Sequence, residues 1–417
     1  MILCITALVL NLLALAGGIT NLIYPTQYLY WNLYGYVMLL ALLCNIVLAY
    51  LGGRYRYLDY SYLLLHIVSM LLIPLMNTLA SSDVQNMTSQ SILVLILYNV
   101  IFLFGTTNAG IKIKYTHSSS GTEPEIEEQE RSGKCRNVIR WVMIIFLCLC
   151  LLFGIFLSYI LLWRSTGNMI EVFVPVYSVY WGLLMLGASA LVCRLRWRHK
   201  GSIMNKTVLI AGIAIFAVCM VPLASTPFMI SNADTAYREA FGGALLDDRT
   251  VSERFGFKRK PFSLQDYFLG TLTRDYHVIE DVLYYEGTSG ADAGIRLHFD
   301  VYMPLVDSNG LSDRNPVLIR IHGGAWVIGG KGAMNYAGTN KHFVNLGYVV
   351  FDIQYGLSDR STSYPSAAVP AGVAGDFDID DMIRHIGIFT TFMADSADNT
   401  VRIWTPSLYP GHRQGVS

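Results

Sequence analysis

Seven long apolar stretches in the first 231 residues restrict what this 417-residue chain can fold into. Each stretch contains about 20 residues, the length of a helix that crosses the hydrocarbon core of a bilayer. Lipid offers no partner to backbone polar groups, so separate stretches of this length predict helices that satisfy their own hydrogen bonds. The predicted spans cover residues 2–23, 33–51, 58–80, 91–111, 138–163, 170–193 and 207–230.

The charge of the chain divides at the end of the last stretch. Residues 1–231 contain 14 Lys and Arg and 8 Asp and Glu, whereas residues 232–417 contain 16 and 22. Charged residues make up 14% of the sequence, against about 25% in an ordinary soluble domain, which excludes a wholly soluble, disordered or nucleic-acid-coating protein. We therefore predict a multi-span α-helical membrane domain over 1–231, a connecting region over 232–277 and a second domain over 278–417.

The segments between the predicted spans alternate in their Lys and Arg content. The basic segments are 52–57, 112–137 and 194–206, whereas segments 24–32, 81–90 and 164–169 contain only Arg164. Basic loops stay in the cytoplasm, so the pattern predicts an integral membrane protein with a cytoplasmic N-terminus. An odd number of spans then places 232–417 outside. If the first span is instead a signal peptide cleaved after Ala16, that location does not change.

Ionisable residues are rare inside the predicted spans. His66 is the clearest example, and Asp59 and Glu171 lie near span ends. Transporters and channels place such residues along their path, so their scarcity favours anchoring or helix bundling over conduction. We expect His66 to form a hydrogen bond with a neighbouring helix rather than to act in a proton relay.

From about residue 278 the pattern becomes that of an α/β domain. The predicted strands are 278–285, 295–302, 316–321 and 348–353, and the predicted helices are 340–346 and 376–394. The strands are rich in Ile and Val, and the second helix repeats apolar residues at helical spacing. This order of elements is how an open, mostly parallel sheet begins.

One segment of the second domain is suited to chemistry. The string His322-Gly323-Gly324-Ala325-Trp326 follows directly after an Ile-rich strand. Glycines there let the backbone turn sharply and expose N–H groups, which can stabilise the negatively charged oxygen of an acyl-transfer intermediate. The alternative interpretation is a glycine-rich turn that binds nothing.

At these residues the sequence resembles the α/β-hydrolase family, in the carboxylesterase and hormone-sensitive-lipase-like branch. Further matches are Phe299-Asp300-Val301-Tyr302-Met303-Pro304, Gly329-Gly330-Lys331, Gly347-Tyr348-Val349-Val350 and Tyr364-Pro365. The resemblance covers residues 278–399 and implies nothing about the seven spans.

The resemblance implies a role for each residue of the turn. The N–H groups of Gly324 and Ala325 would form the oxyanion hole, and His322 and Gly323 would support that loop. Trp326 would line the substrate pocket, with a place in the core as its alternative. The resemblance implies a small ester substrate if the domain is complete. The seven spans predict the lipid bilayer as a partner, and we expect no nucleic acid, metal or other cofactor.

The sequence departs from the family where the nucleophile is expected. No Gly-x-Ser-x-Gly motif occurs, and the glycines with that spacing, Gly411 and Gly415, enclose Arg413. The Asp and His that follow the Ser in the family are missing too. We therefore expect 278–417 to be the first half of a hydrolase domain, inactive as given, from a truncated gene model, a frameshift or a pseudogene-like fragment. Its last strand would then be an exposed edge.

Two other functions stay open from the sequence. A non-catalytic membrane protein whose outer domain binds a ligand or partner is favoured by the missing nucleophile. A seven-helix receptor or transporter with an accessory outer domain is disfavoured by the nearly charge-free spans.

Overall fold

The structure is a computed structural model of the chain. It describes residues 1–23, 31–52, 56–82, 88–118, 134–163, 169–197, 201–242, 262–270, 276–304, 315–332, 336–345, 348–359 and 369–403. The chain forms two compact units, a helical unit that includes residues 262–270 and a C-terminal unit that contains the strands. Each unit is described by itself.

The helical unit is built from long apolar helices. They are α1 (Ile2–Ile23), α2 (Trp31–Leu51), α3 (Arg56–Ser82), α4 (Thr88–Ser118), α5 (Lys134–Leu162), α6 (Met169–Val176), α7 (Ser178–Leu195), α8 (Ile203–Cys219) and α9 (Val221–Phe241). Seven segments are long and apolar enough to cross a membrane, as the sequence predicts, with α8 and α9 together forming one of them. This is compatible with an integral membrane protein.

The sixth and seventh predicted spans are interrupted by proline. Pro175 lies in α6, which ends at Val176, and Tyr177 separates it from α7. Pro222 lies in the first turn of α9, and Met220 separates α8 from α9. Proline lacks the N–H of a helical hydrogen bond, so both breaks occur within two residues of one. Pro74, by contrast, lies inside an unbroken α3.

Burial within the helical unit differs between its helices. Most residues of α7 are buried, which places this helix at the centre of the unit. On α5, by contrast, Ile145, Leu149 and Leu152 are more than half exposed. A continuous exposed apolar surface of this kind suits contact with lipid.

Residues 262–270 pack into one end of the helical unit. They contain the short helix α10 (Leu264–Leu269), in which Leu264 and Phe268 are fully buried. The Asn32 side chain accepts a hydrogen bond from the N–H of Leu264 at 2.8 Å. The Asn77 side chain donates to the carbonyl of Phe268 at 3.0 Å. The sequence-based division assigned these residues to a connecting region, which differs from their packing here.

The C-terminal unit contains a small mixed sheet with helices packed on it. Its elements are β1 (Tyr276–Glu286), β2 (Arg296–Pro304), β3 (Val317–Ile321), α11 (Tyr336–Asn345), β4 (Val349–Ile353), β5 (Leu357–Ser358), β6 (Ala374–Gly375) and α12 (Ile379–Ile403). The aromatic side chains of Phe299, Phe351 and Phe389 pack together in the core. All the elements predicted in this region are present, with shifted ends.

The pairing of the strands corrects two expectations. The order in the main sheet is β1-β2-β4-β3, and only the β3–β4 pair is parallel. The four strands of the main sheet are therefore not mostly parallel. The last of the predicted strands, 348–353, is β4, which pairs on both sides, so it is not an edge; the two edges of this sheet are β1 and β3. The end residues of β3, Val317 and Ile321, are about half exposed.

Several residues of the sequence analysis lie outside the described ranges. They are Gly347, Tyr364, Pro365 and the tail 404–417 with Arg413.

Candidate functional site

The turn that follows β3 has an unusual backbone. Gly324, Ala325 and Trp326 have φ angles of 140°, 51° and 70°. A Cβ on Gly324 would lie 1.8 Å from the carbonyl oxygen of Ile328, so no other residue fits that position unchanged. A positive φ angle is energetically unfavourable for Ala325 and Trp326. L-residues adopt such angles only where the surrounding structure imposes them.

This backbone leaves two consecutive N–H groups unbonded. The carbonyl of Gly324 accepts hydrogen bonds from the N–H groups of Val327 and Ile328, at 3.2 and 3.0 Å. Within the described part of the chain, the N–H groups of Gly324 and Ala325 donate to no acceptor, and Ala325 is exposed. Neighbouring free N–H groups in a turn can together bind an anionic oxygen.

His322 lies buried at the start of the turn, stacked on Tyr355 with ring centroids 4.5 Å apart. Its Nδ1–H donates to the carbonyl of Gly323 at 2.9 Å, and its Nε2 lies 3.1 Å from the amide nitrogen of Gln354. Burial lowers the pKa of His322, so the ring is neutral near pH 7. Both ring nitrogens are already engaged, which suits a bracing residue and not a base.

Gln354 joins both ends of the turn to the end of β4, and sequence reasoning missed it. Its Oε1 accepts from the N–H of Lys331 at 3.1 Å, and its Nε2 donates to the carbonyl of Tyr355 at 2.9 Å. The Tyr355 hydroxyl donates to the carbonyl of His322 at 2.9 Å. The sequence did contain a signal for Gln354, because it is a polar residue directly after a buried strand. Ligand sites in α/β sheets often lie at such strand ends.

Asp352 fastens the turn from the same strand. Its Oδ2 accepts from the N–H of Gly332 and from the side chain of Asn340, both at 2.8 Å, and its Oδ1 accepts from Arg320. Asp352 is fully buried, so these donors replace the water that the carboxylate would otherwise need.

Lys331 links the far end of the turn to β1 and β2. Its Nζ lies 2.6 Å from carboxylate oxygens of both Asp281 and Asp300. Burial opposes the charge on Lys331, but the two carboxylates outweigh it and raise the pKa of the amine. Burial raises the pKa of Asp300, whereas the hydrogen bond from Lys331 lowers the pKa of Asp281. Asp281 reaches the amine from an irregularity in β1, where its φ is 58°.

Trp326 is only partly covered. Its side chain is 44% exposed and meets the edge of Tyr355 with centroids 6.1 Å apart. Its carbonyl accepts from the N–H of Ser358 at 3.0 Å. This exposure speaks against the alternative of a simple core residue.

A second polar cluster surrounds Asp292, in a short 3-10 helix between β1 and β2. Arg384 donates to both carboxylate oxygens at 2.5 and 2.8 Å, and Tyr285 donates at 2.6 Å. The N–H of Gly356 donates to Nδ1 of His385, so Nε2 carries the proton and donates to Asp292 at 3.0 Å. The hydrogen bonds from Arg384 hold the pKa of Asp292 well below its usual range. The cluster fastens α12 to the β1–β2 connection.

An open groove of about 730 Å³ lies along α12. It is lined by Arg384, Gly387, Ile388, Thr390, Thr391, Phe392 and Asp395, and by none of the described residues of the turn. It does not extend the candidate site.

Comparison with known proteins identifies one relationship. The family model BD-FAE, a family of α/β-hydrolase-like esterase domains, matches residues 299–385. The match begins in β2, includes the whole turn and ends at His385, and it covers less than half of the chain. No curated protein and no solved structure matches the chain. This part of the C-terminal unit is therefore similar to α/β-hydrolase-like esterase domains.

Proposed function

We propose that the chain is a membrane-anchored carboxylic ester hydrolase of the α/β-hydrolase type whose C-terminal unit acts outside the cytoplasm. The observation that carries the proposal is the pair of N–H groups at Gly324 and Ala325, close behind β3, that donate to none of the residues that the structure describes. They lie within the segment that the esterase family model matches.

The turn supplies one part of ester hydrolysis. When a nucleophile attacks an ester carbonyl, the oxygen becomes negatively charged, and the two N–H groups donate to it. Removing one such donor typically costs a factor of about 10²–10³ in rate. Neutral His322, Gln354 and Tyr355 hold the turn in place, and Trp326 contacts the acyl or alcohol group.

The rest of the reaction needs groups that the printed sequence does not provide in the family arrangement. No Gly-x-Ser-x-Gly motif is present to supply the nucleophile. In this branch an Asp and a His follow that Ser and activate it. The printed sequence therefore supplies the oxyanion site of this reaction but not the family's nucleophile motif.

The activity test uses protein made from the complete transcript of the gene. We expect a Gly-x-Ser-x-Gly motif downstream and in frame, and turnover of p-nitrophenyl acetate that a serine-reactive phosphonate abolishes. Gly324→Ala should lower the rate about 10²-fold or more, since it disrupts the N–H pair. Gly294→Ala is the matched control, because Gly294 also has positive φ but open space around it. Turnover that is indifferent to Gly324→Ala would contradict the proposal.

A second candidate function is non-catalytic binding of a ligand or partner by the C-terminal unit. The missing nucleophile motif favours it. A complete transcript without Gly-x-Ser-x-Gly, with no turnover and no phosphonate labelling, would decide for this candidate.

A separate experiment tests the proposed location of the C-terminal unit outside the cytoplasm. A tag placed at the N-terminus should be protected from added protease in sealed cells, whereas a tag after residue 417 should be cleaved. The opposite pattern would reverse the orientation that the Lys and Arg distribution predicts.

A further inference from the structure

A stripe of buried polar side chains runs along α3. Asp59, Tyr62, His66 and Ser69 follow each other at spacings of three and four residues, which places them on one face of the helix. All four are 0% exposed. Polar groups in an apolar helix bundle are costly unless they find partners, so such a stripe needs an explanation.

Three of these side chains carry a polar atom without a partner. Among the described residues, Nδ1 of His66 and the Ser69 hydroxyl have no hydrogen-bond partner. The Tyr62 hydroxyl makes no hydrogen bond of normal geometry, although the Asn45 side chain lies near it. The expected bond of His66 to a neighbouring helix is present, since its Nε2–H donates to the carbonyl of Leu183 at 3.2 Å. Because Nε2 carries that proton, Nδ1 is an acceptor with nothing to accept from.

Two other buried hydroxyls of the same unit, by contrast, lie close to carbonyl oxygens. The Ser189 hydroxyl donates to the carbonyl of Leu186 at 2.8 Å. The Tyr180 hydroxyl lies 3.0 and 3.2 Å from the carbonyl oxygens of Tyr267 and Phe268. Buried groups left unpaired by the protein are commonly satisfied by ordered water.

The stripe begins at a charged cluster. Asp59 contacts Lys112 at 2.8 Å, Arg194 at 3.1 Å and Asn108 at 3.2 Å. Asp59 and Arg194 are almost fully covered, but the Lys112 side chain is 12% exposed. Lys112 therefore connects the buried end of the cluster with the surface of the unit.

The other end of α3 packs against α10, where Asn77 donates to the carbonyl of Phe268. Leu264 and Phe268 of α10 are fully buried, and Phe268 meets the ring of Tyr98 edge-on at 5.9 Å. The partly exposed Lys112 offers an approach to the unpaired atoms from the end at Asp59.

We propose that the buried face of α3 from Asp59 to Ser69 binds a file of water molecules that enters beside Lys112. The waters donate to Nδ1 of His66 and bridge the hydroxyls of Tyr62 and Ser69. Ten residues of helix span about 15 Å, roughly half of a hydrocarbon core of about 30 Å. The file is independent of ester hydrolysis by the C-terminal unit.

Cysteine labelling tests the water file in the full chain, reconstituted in nanodiscs. In a background with all native cysteines replaced by Ala, Ser69→Cys is compared with Ser189→Cys, which is equally buried but whose native hydroxyl is satisfied. A water-requiring methanethiosulfonate reagent should label Ser69→Cys at least about tenfold faster, because only a hydrated thiol ionises readily. Equal rates would show a dry stripe and overturn the proposal.

A second measurement decides if Ser69→Cys does not fold. Tyr62→Phe removes only the hydroxyl, and the loss of a water-bonded group should lower the Tm of the chain. Tyr180→Phe, which loses contacts to two carbonyls, shows that the assay detects such a loss. An unchanged or higher Tm for Tyr62→Phe would mean that the native hydroxyl is dry and unpaired, and the proposal would be wrong.

Discussion

The side-chain amide of Gln354 lies 3.1 Å from Nε2 of His322, and this contact fixes the tautomer of the ring. Gln354 Oε1 accepts from the N–H of Lys331, so its Nε2 must be the end that faces His322. The ring nitrogen Nε2 therefore accepts, and Nδ1 carries the proton that it donates to Gly323. A neutral ring with both nitrogens used is a rigid support for the turn.

Gln354→Glu is predicted to change the pH dependence of the C-terminal unit. In the native protein burial holds the pKa of His322 below the ordinary 6.5. As the pH drops, His322 therefore becomes protonated in the unfolded chain before it does so in the folded protein. The free energy of unfolding falls as the pH drops below about 6.5. A carboxylate at position 354 would stabilise the imidazolium form of His322 and raise its pKa. The loss of stability at acid pH should therefore become smaller or change sign in this variant.

Amide exchange in β2 and β4, measured at pH 7.5 and 5.5, checks this prediction. After the slower intrinsic exchange at the lower pH is divided out, native protein should show smaller protection factors at pH 5.5 than at pH 7.5, and Gln354→Glu should reduce that difference. The same pH dependence in both proteins would show that Gln354 does not control the protonation of His322.

Asp292→Asn is predicted to loosen α12. The substitution keeps the shape of the side chain but removes the charge that Arg384 and His385 contact. Hydrogen bonds to a charged group contribute about 1.5–3 kcal/mol, and since the Arg384 side chain is 43% exposed we expect a loss of about 1–2 kcal/mol. Amide exchange along α12 measures it.

Glu286→Gln is the matched control, because its pair with Arg296 is more than half exposed on both sides and should contribute less than about 0.5 kcal/mol. The pKa of Asp292 is lowered, so its contribution is present above the unfolded value of 3.8 and is lost as the pH falls below it. The difference between native protein and Asp292→Asn should therefore persist at pH 5. Equal losses for both variants would contradict a special role of the cluster.

Local patterns were the part of the fold that the sequence could predict. The apolar stretches identified the helices because burial in lipid or protein requires continuous apolar surface. The turn at His322 was found because its residues are adjacent in the chain. The breaks at Tyr177 and Met220 were missed because a proline in a span is compatible with a kink as well as with an interruption.

Partners distant in sequence could not be predicted. Asp292 and His385 are 93 residues apart, and Gln354 is 32 residues from His322, so nothing local pairs them. The position of β4 between β2 and β3 is a property of strand pairing, not of periodicity. The packing of residues 262–270 on the helices depends likewise on the Asn32 and Asn77 side chains far upstream.

Asn32→Ala is predicted to release residues 262–270 from the helical unit. The Asn32 side chain accepts from the N–H of Leu264 and donates to the carbonyl of Phe262, so the change leaves two backbone groups without a partner. Each lost bond to a covered group costs about 1–3 kcal/mol, which should make local opening of the segment much more frequent. Faster amide exchange confined to 262–270 is the expected result.

Asn99→Ala is the control for this prediction, because the Asn99 side chain bonds only to Leu95 of its own helix. Exchange in 262–270 that rises equally in both variants would indicate general destabilisation and not the loss of the Asn32 contacts.

Asp59→Asn is predicted to destabilise the helical unit strongly. Asp59 is fully buried between Lys112 and Arg194, so the substitution leaves two cations in a covered site without their counter-charge. Breaking a buried ion pair costs about 3–5 kcal/mol, mainly because the remaining charge has lost its solvation. We expect a large fall in the Tm of the chain in nanodiscs. Asp234→Asn removes a carboxylate from the exposed pair with Arg238 on α9 and should cost about 0.5 kcal/mol or less. A Tm for Asp59→Asn equal to that of Asp234→Asn would mean that Lys112 and Arg194 are sufficiently solvated by water, or paired with another anion, without Asp59.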